Sequence, residues 1–481
     1  MSFKKPLDVL LNEAAKTGEG SLKRTLGAMN LVALGIGAII GAGLFVRTAA
    51  ASAEAAGPAV TLSFIVAAIG CALAGLCYAE FAAMIPVAGS AYTYAYATMG
   101  EVTAWIIGWA LILEYALGAA TVSIAWSEYL NNLLGGAIPY EWCHSPFEVS
   151  AEGIRGFVNA PALLILVLIT LVLVKGTQES ARLNAVIVFV KVAIVLLFIA
   201  IGWQYINPEN HTPYLIPEGK EGHEGIFKWG WGGVLGGAAI VFFAFIGFDA
   251  VSTAAQEAKN PKRDMPIGIL GSLVVCTILY ILFSHVLTGV ANWEEFKTSG
   301  KEASVAYAIQ KYMIGYDWLA TAITVAILAG FSSVILVMLM GQSRVFYSMS
   351  KDGLLPKVFS DLHPKFSTPY KSNYILLIFV GLFGGFVPGT VAGDLTSIGT
   401  LFAFVLVCYG VMIMRKTDPN ISRPFKTPLV PFVPILGIIV CSSMIISLPF
   451  PTLTSAFIWM VLGLVIYYAY SKNHSKIRNG K

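Results

Sequence analysis

The strongest constraint on this chain is a recurrence of apolar stretches long enough to cross a lipid bilayer. Crossing takes about 20 mostly apolar residues, because a helix satisfies its own backbone where water cannot. Such stretches run at 29–54, 59–85, 98–133, 159–175, 182–205, 232–258, 266–291, 317–347, 373–389, 393–414, 432–448 and 453–471. The third and eighth are long enough to project beyond the lipid. The ninth and tenth are divided only by a short stretch from Pro388 to Gly393. Hydrophobic residues make up 57% of the chain and charged residues 12%, about half the charged share of a soluble domain. The expected fold class is an all-α polytopic membrane protein with 12 transmembrane helices.

Charge placement orients such a chain. With both termini inside, Lys4, Lys5 and Arg24, then Lys259, Lys262 and Arg263, then Lys351, Lys357, Lys365 and Lys371 fall on the inner side. Arg415, Lys416, Arg423, Lys426, Lys472, Lys476 and Arg478 join them. The outer segments hold Glu141, Glu148, Glu152, Glu218, Glu221 and Glu224, although Arg155, Lys220, Lys228 and Lys297 also lie there. Cytoplasmic termini in a cell membrane are therefore expected. Residues 6–16 (PLDVLLNEAAK) suit either a short amphipathic surface helix or a disordered tail. Five of the six cysteines fall inside spans, so neither a disulfide framework nor a zinc spacing is expected.

Two spans are interrupted. The first carries Gly35, Gly37, Gly41 and Gly43 within nine residues, and the sixth sets Gly247 beside Asp249 at similar depth. Corresponding breaks in two halves point to an inverted repeat. Spans one to five (29–205) form one half, spans six to ten (232–414) the other, and 432–471 an appendix. Residues 1–28 and 472–481 are inner terminal segments. A break exposes N–H groups at the start of one half-helix and C=O groups at the end of the other. The first suit a carboxylate and the second an ammonium. Two facing breaks can therefore hold a zwitterion. The competing interpretation is close helix packing, since Gly37 and Gly41 form a GxxxG spacing.

Charged groups inside spans are costly and are functional candidates. Lys191 lies deep in the fifth span. Burial disfavours an ammonium, so its proton can respond to access by water; the alternative is a fixed ion pair, with Asp249 as one candidate partner. Asp249 more naturally caps the second half-helix. Glu114, midway along the third span, suits a structural hydrogen bond or a transport role equally well. Glu80 sits near the inner end of the second span, with water in reach. His285 is a lone core histidine. Trp105, Trp109, Trp229, Trp231 and Trp459 fall near span ends, as interface belts do. No arrangement of nucleophile, base and orienting group supports an enzyme. No cofactor or metal motif occurs, and the basic residues need no nucleic acid to explain them.

These segments resemble the amino acid–polyamine–organocation superfamily, and within it bacterial relatives of the cationic amino acid transporters. The resemblance rests on GIGAIIGAGLFV (35–46), PVAGSAYTYAY (86–96), FFAFIGFDAVSTAAQEAKNPKRDMPIGI (242–269) and SRVFYSMSKDGLLPKVF (343–359), in order over about residues 24 to 471. It implies a leucine-transporter-type 5+5 inverted repeat with two extra helices. It places a substrate carboxylate against Ile39, Gly41, Ala42 and Gly43, and a substrate amine against Phe243, Ala244 and Ile246. Lys191 would stand where sodium-coupled cousins hold sodium, implying coupling to protons, with Glu114 and Asp249 as further candidates. Ser332 and Ser333 match sodium-ligand positions, yet Lys191 argues against a metal there. Many bacterial relatives carry threonine where this chain has Ala42. The expected function is amino acid:proton symport in a lipid bilayer. The rivals are an amino acid exchanger without protons and a sensing or channel-like protein.

Overall fold

The computed structural model describes residues 3–15, 22, 24–41, 43–150, 152–297, 304–446 and 450–480. Ala42 lies outside them. Its main helices are α1 (Leu7–Ala15), α2 (Ala28–Ile39), α3 (Val60–Met84), α4 (Glu101–Ile112), α5 (Gly118–Leu133), α6 (Ala160–Lys175) and α7 (Thr177–Gly202). They continue with α8 (Gly230–Phe242), α9 (Pro261–Val290), α10 (Asp317–Lys351), α11 (Tyr370–Phe386), α12 (Gly389–Thr417), α13 (Phe432–Ile446) and α14 (Phe450–Ile466). The described residues form helices without a β-sheet, with only isolated bridges.

Among the described residues, eight helical segments are long and apolar enough to cross a membrane, and four shorter apolar helices accompany them: α2, α6, α11 and α13. Side chains such as Phe189 (76% exposed) and Phe457 (69% exposed) project from the bundle. An apolar periphery of this kind suits lipid and not water. The chain is a multi-pass membrane protein.

The core is built around the interrupted helices. α9 runs along both α2 and α3, α8 packs on α3, and α10 lies between α5 and α7. At one end the two interrupted segments are stitched together by backbone. Leu26 N–H donates to Glu257 O at 2.9 Å, and Lys259 N–H to Leu26 O at 2.8 Å. Just below, Arg344 meets Glu257 at 2.8 Å with both side chains buried.

Two expectations fail here. Glu80 is 1% exposed. Arg415 and Arg423 fold over it, and Thr427 N–H donates to it at 2.8 Å, so protein donors replace the expected water. The tryptophans do not all form an interface belt either. Trp105 is fully buried and donates to Gly463 O at 2.8 Å, while Trp109 stacks on Trp459 at 4.7 Å. Each indole N–H found a carbonyl on a facing helix, so these rings fasten α4 to α14. Trp231 does lie exposed. α1 is a helix with Leu10 buried and Leu11 exposed.

Candidate functional site

The first break follows Ile39. α2 ends there, Ile40 is extended at ψ 100°, and a new helical run starts at Gly43. The second break follows the short Phe243–Phe245 turn: Ile246 is extended at ψ 134°, Gly247 has φ +113°, and helix resumes at Ala250–Thr253. Only glycine adopts that φ readily, which explains Gly247.

The glycines of the first break divide between packing and lining. A Cβ on Gly35 would lie 2.5 Å from Ser272 Cβ, and one on Gly37 2.4 Å from Asn184 Oδ1; these two serve close helix packing. Gly41 and Gly43 face a cavity. A Cβ on Gly43 would lie 2.2 Å from Ala244 Cα, and one on Gly247 2.8 Å from Ala38 Cβ, so the two breaks touch each other. Gly35 and Gly37 thus serve packing, while Gly41 and Gly43 border the space between the breaks.

About 330 Å³ of space, open solvent included, lies between and beyond the breaks. Its wall contains Ala38, Ile39, Gly41, Gly43, Phe243 and Ile246 from the breaks, with Gly118, Val122, Val334, Met338 and Thr396 opposite. Ala244 stands one layer behind. Five of the seven residues expected at a substrate site thus line one space. No titratable side chain is among the described lining residues.

Breaking α2 leaves its last carbonyls without helical partners, and buried donors take them. Lys191 Nζ donates to Ile40 O (2.8 Å), Gly37 O (3.0 Å) and Ser333 Oγ (3.1 Å). Ser333 Oγ donates to Gly37 O at 2.7 Å. The ammonium is fully buried, and its three N–H donors meet three acceptors. Lys191 therefore pairs with peptide dipoles and not with Asp249, because the C-terminal end of a half-helix already carries partial negative charge. Ser332 instead bonds back to Leu328 O.

Asp249 precedes the Ala250–Thr253 helix but does not cap it with its side chain. Its carboxylate accepts from Tyr115 Oη at 2.6 Å. The phenol competes for the carboxylate more favourably than the short helix's N–H groups. Glu114 is fully buried beside Asp249 and Thr400, without a well-formed hydrogen bond to either carboxyl oxygen.

Sequence reasoning missed Tyr280. From α9 its hydroxyl reaches Ile39 O and Ala244 O, each at 2.8 Å, so one hydrogen is shared between a carbonyl of each break. A tyrosine midway along an apolar helix, needing a partner for its hydroxyl, was the available signal. Gly118, Val122, Met338 and Thr396 gave none, since small and apolar residues inside spans are ordinary. His285 is not isolated: its ring lies 4.6 Å from that of His211.

Two discontinuous helices that meet at a shared cavity inside a multi-pass helical bundle define a transporter. The comparisons make that class specific: the chain belongs to the amino acid permease family, whose profile matches residues 26–468. It is 45% identical to the branched-chain amino acid permease BcaP of Bacillus subtilis, over 96% of each chain. It is 41% identical to the methylthioribose transporter of the same organism, over 98% of each. To the vacuolar cationic amino acid transporter 4 of Arabidopsis thaliana it is 34% identical, over 84% of this chain and 65% of that one. These relatives bear out the superfamily resemblance and the absence of an enzymatic role.

Proposed function

We propose that the protein is an amino acid:proton symporter working by alternating access around the cavity between its breaks. The leading N–H groups of the half-helix that starts at Gly43, with Gly41 and Ala42 before it, receive the substrate carboxylate; carbonyls of Phe243 and Ile246 receive its amine. Ala244 acts from behind, since its carbonyl is engaged by Tyr280. The architecture proposed is twelve spans, with 29–205 and 232–414 as inverted repeats and 432–471 as an appendix. Residues 1–28 and 472–481 are cytoplasmic. The basic residues gathered at one side support that orientation in the cell membrane.

The substrate is a neutral amino acid with a mid-sized apolar side chain. Val122, Val334 and Met338 line the cavity, and each suits a hydrocarbon or thioether group. The branched-chain permease among the relatives supports the same class.

One observation carries the proton coupling: the saturated ammonium of Lys191. A neutral amine has two donors and a lone pair, so losing the proton removes one of the three bonds that hold the end of α2. Proton loss and movement at the break are thereby linked. Glu114 and Asp249, buried side by side, provide a second place for a proton, because two adjacent carboxylates repel. Uptake of radiolabelled leucine into proteoliposomes tests this. Wild type should accumulate leucine under an inward proton gradient. Lys191→Gln should lose accumulation but keep leucine–leucine counterflow. Gradient-driven accumulation unchanged in Lys191→Gln would refute the coupling, and no uptake by wild type would refute the substrate class.

A further inference from the structure

Arg47 has no part in the site as described, yet it stands directly above it. It ends the Gly43–Arg47 turn, one helical turn beyond the cavity-lining Gly43 on the side away from α2. Its guanidinium lies over the ring of Phe243, another wall residue, at 5.4 Å from the centroid. A Cβ on Gly393 would lie 3.8 Å from Arg47 Nη2, and Gly393 precedes the wall residue Thr396 by one turn of α12. The same position on Gly393 is 3.4 Å from Thr121, the neighbour of the wall residue Val122. The Arg47 guanidinium thus covers one wall residue, Phe243, with Gly393 of α12 beside it and Thr121 of α5 just beyond.

We infer that Arg47 is a charge filter that sets the specificity of this carrier, excluding amino acids with cationic side chains at the roof of the cavity. The inference rests on the substrate site proposed above. A solute on the path past this roof meets a guanidinium that cannot be deprotonated in a protein and that stands over an aromatic face. A zwitterion presents its carboxylate to that charge without penalty. A lysine or arginine solute brings a second ammonium or guanidinium to a space where no described lining side chain carries a negative charge. Arg47 is half-buried, so the repulsion between the two like charges is screened less than on an open surface. The carboxyls of Glu114 and Asp249 do not offset it, being buried together away from the lining. Selectivity is then a penalty against the wrong solute, added to apolar contacts that favour the right one.

The test is inhibition of radiolabelled leucine counterflow by unlabelled lysine and by unlabelled isoleucine, in wild type, Arg47→Gln and Arg47→Lys. The quantity is the ratio of the two half-inhibiting concentrations. Arg47→Gln should lower the lysine-to-isoleucine ratio by about tenfold or more, while Arg47→Lys, which keeps the charge, should stay within about twofold of wild type. A ratio unchanged in Arg47→Gln, or lowered equally in Arg47→Lys, overturns the inference. If Arg47→Gln carries no leucine, thermal stabilisation of the purified protein by isoleucine against lysine gives the same ratio. Failure of wild type to bind or carry leucine would instead count against the substrate site itself.

Discussion

Replacing Tyr280 with phenylalanine removes one oxygen and keeps the ring, whose packing against Phe64 and Phe245 at 5.2 Å is unchanged. The hydroxyl is the donor shared by Ile39 O and Ala244 O. Both residues are almost fully buried, at 2% and 0% exposed, so water does not replace the lost donor. Leaving a buried acceptor unmet costs about 1–3 kcal/mol, and one hydrogen serves the pair, so the total falls in that range. The cost lands on the arrangement in which the breaks face each other across the cavity. At about 1.4 kcal/mol per factor of ten, it shifts the equilibrium away from that arrangement roughly 5- to 150-fold. Leucine affinity of the purified Tyr280→Phe protein, measured by scintillation proximity, should fall correspondingly, with correct folding shown by monodisperse elution. Affinity within about twofold of wild type would refute the bridge between the breaks.

Further outcomes follow from the same geometry. Gly43→Ala should abolish leucine uptake, because the new methyl meets Ala244 backbone. Gly41→Ala should retain partial uptake, because its methyl meets the movable Val334 side chain. Glu257→Ala removes the carboxylate that pairs with the buried Arg344 guanidinium. Losing one partner of such a pair costs about 3–5 kcal/mol, seen as a lower midpoint in thermal unfolding, and Glu257→Gln should be milder. His211 lies in the 208–211 turn outside the spans, and burial, then the neighbouring His285, hold its imidazole below the ordinary 6.5. The unfolded chain then binds more protons just below pH 6.5, so stability present above that pH is lost as pH falls through it. The drop in unfolding temperature between pH 7.5 and 5.5 should be smaller in His211→Gln.

Legibility in the sequence followed the physical length scale of each feature. Long apolar runs were readable because lipid imposes them, and the boundaries of α3, of α10 and of the run from α4 to α5 (101–133) fall within a few residues of those expected. The breaks were readable because four glycines in nine residues exceed what one packing seam uses. Which glycine packs and which lines the cavity was not readable, since that depends on Ser272, Asn184 and Ala244 from distant helices. Lys191 was found because a lysine has no cheap place inside a span. Its partners were misjudged in one alternative, because carbonyls released by a break carry no signature in side-chain identity. The same holds for Asp249: capping is a local rule, and Tyr115, 134 positions away along the chain, overrode it. Arg47 falls inside the expected first span, 29–54, yet sequence reasoning passed over it; the neighbouring Phe243 and Gly393, both distant in sequence, are what draw notice to its charge.

A structure of the purified protein with leucine bound tests the central claim most directly. The account predicts density for leucine between the breaks, its carboxylate against the backbone of 41–43 and its amine against the carbonyls of Phe243 and Ile246. Its side chain should point toward Val122 and Met338. Leucine bound elsewhere, or the two segments refolded into unbroken helices with no space between them, would contradict it.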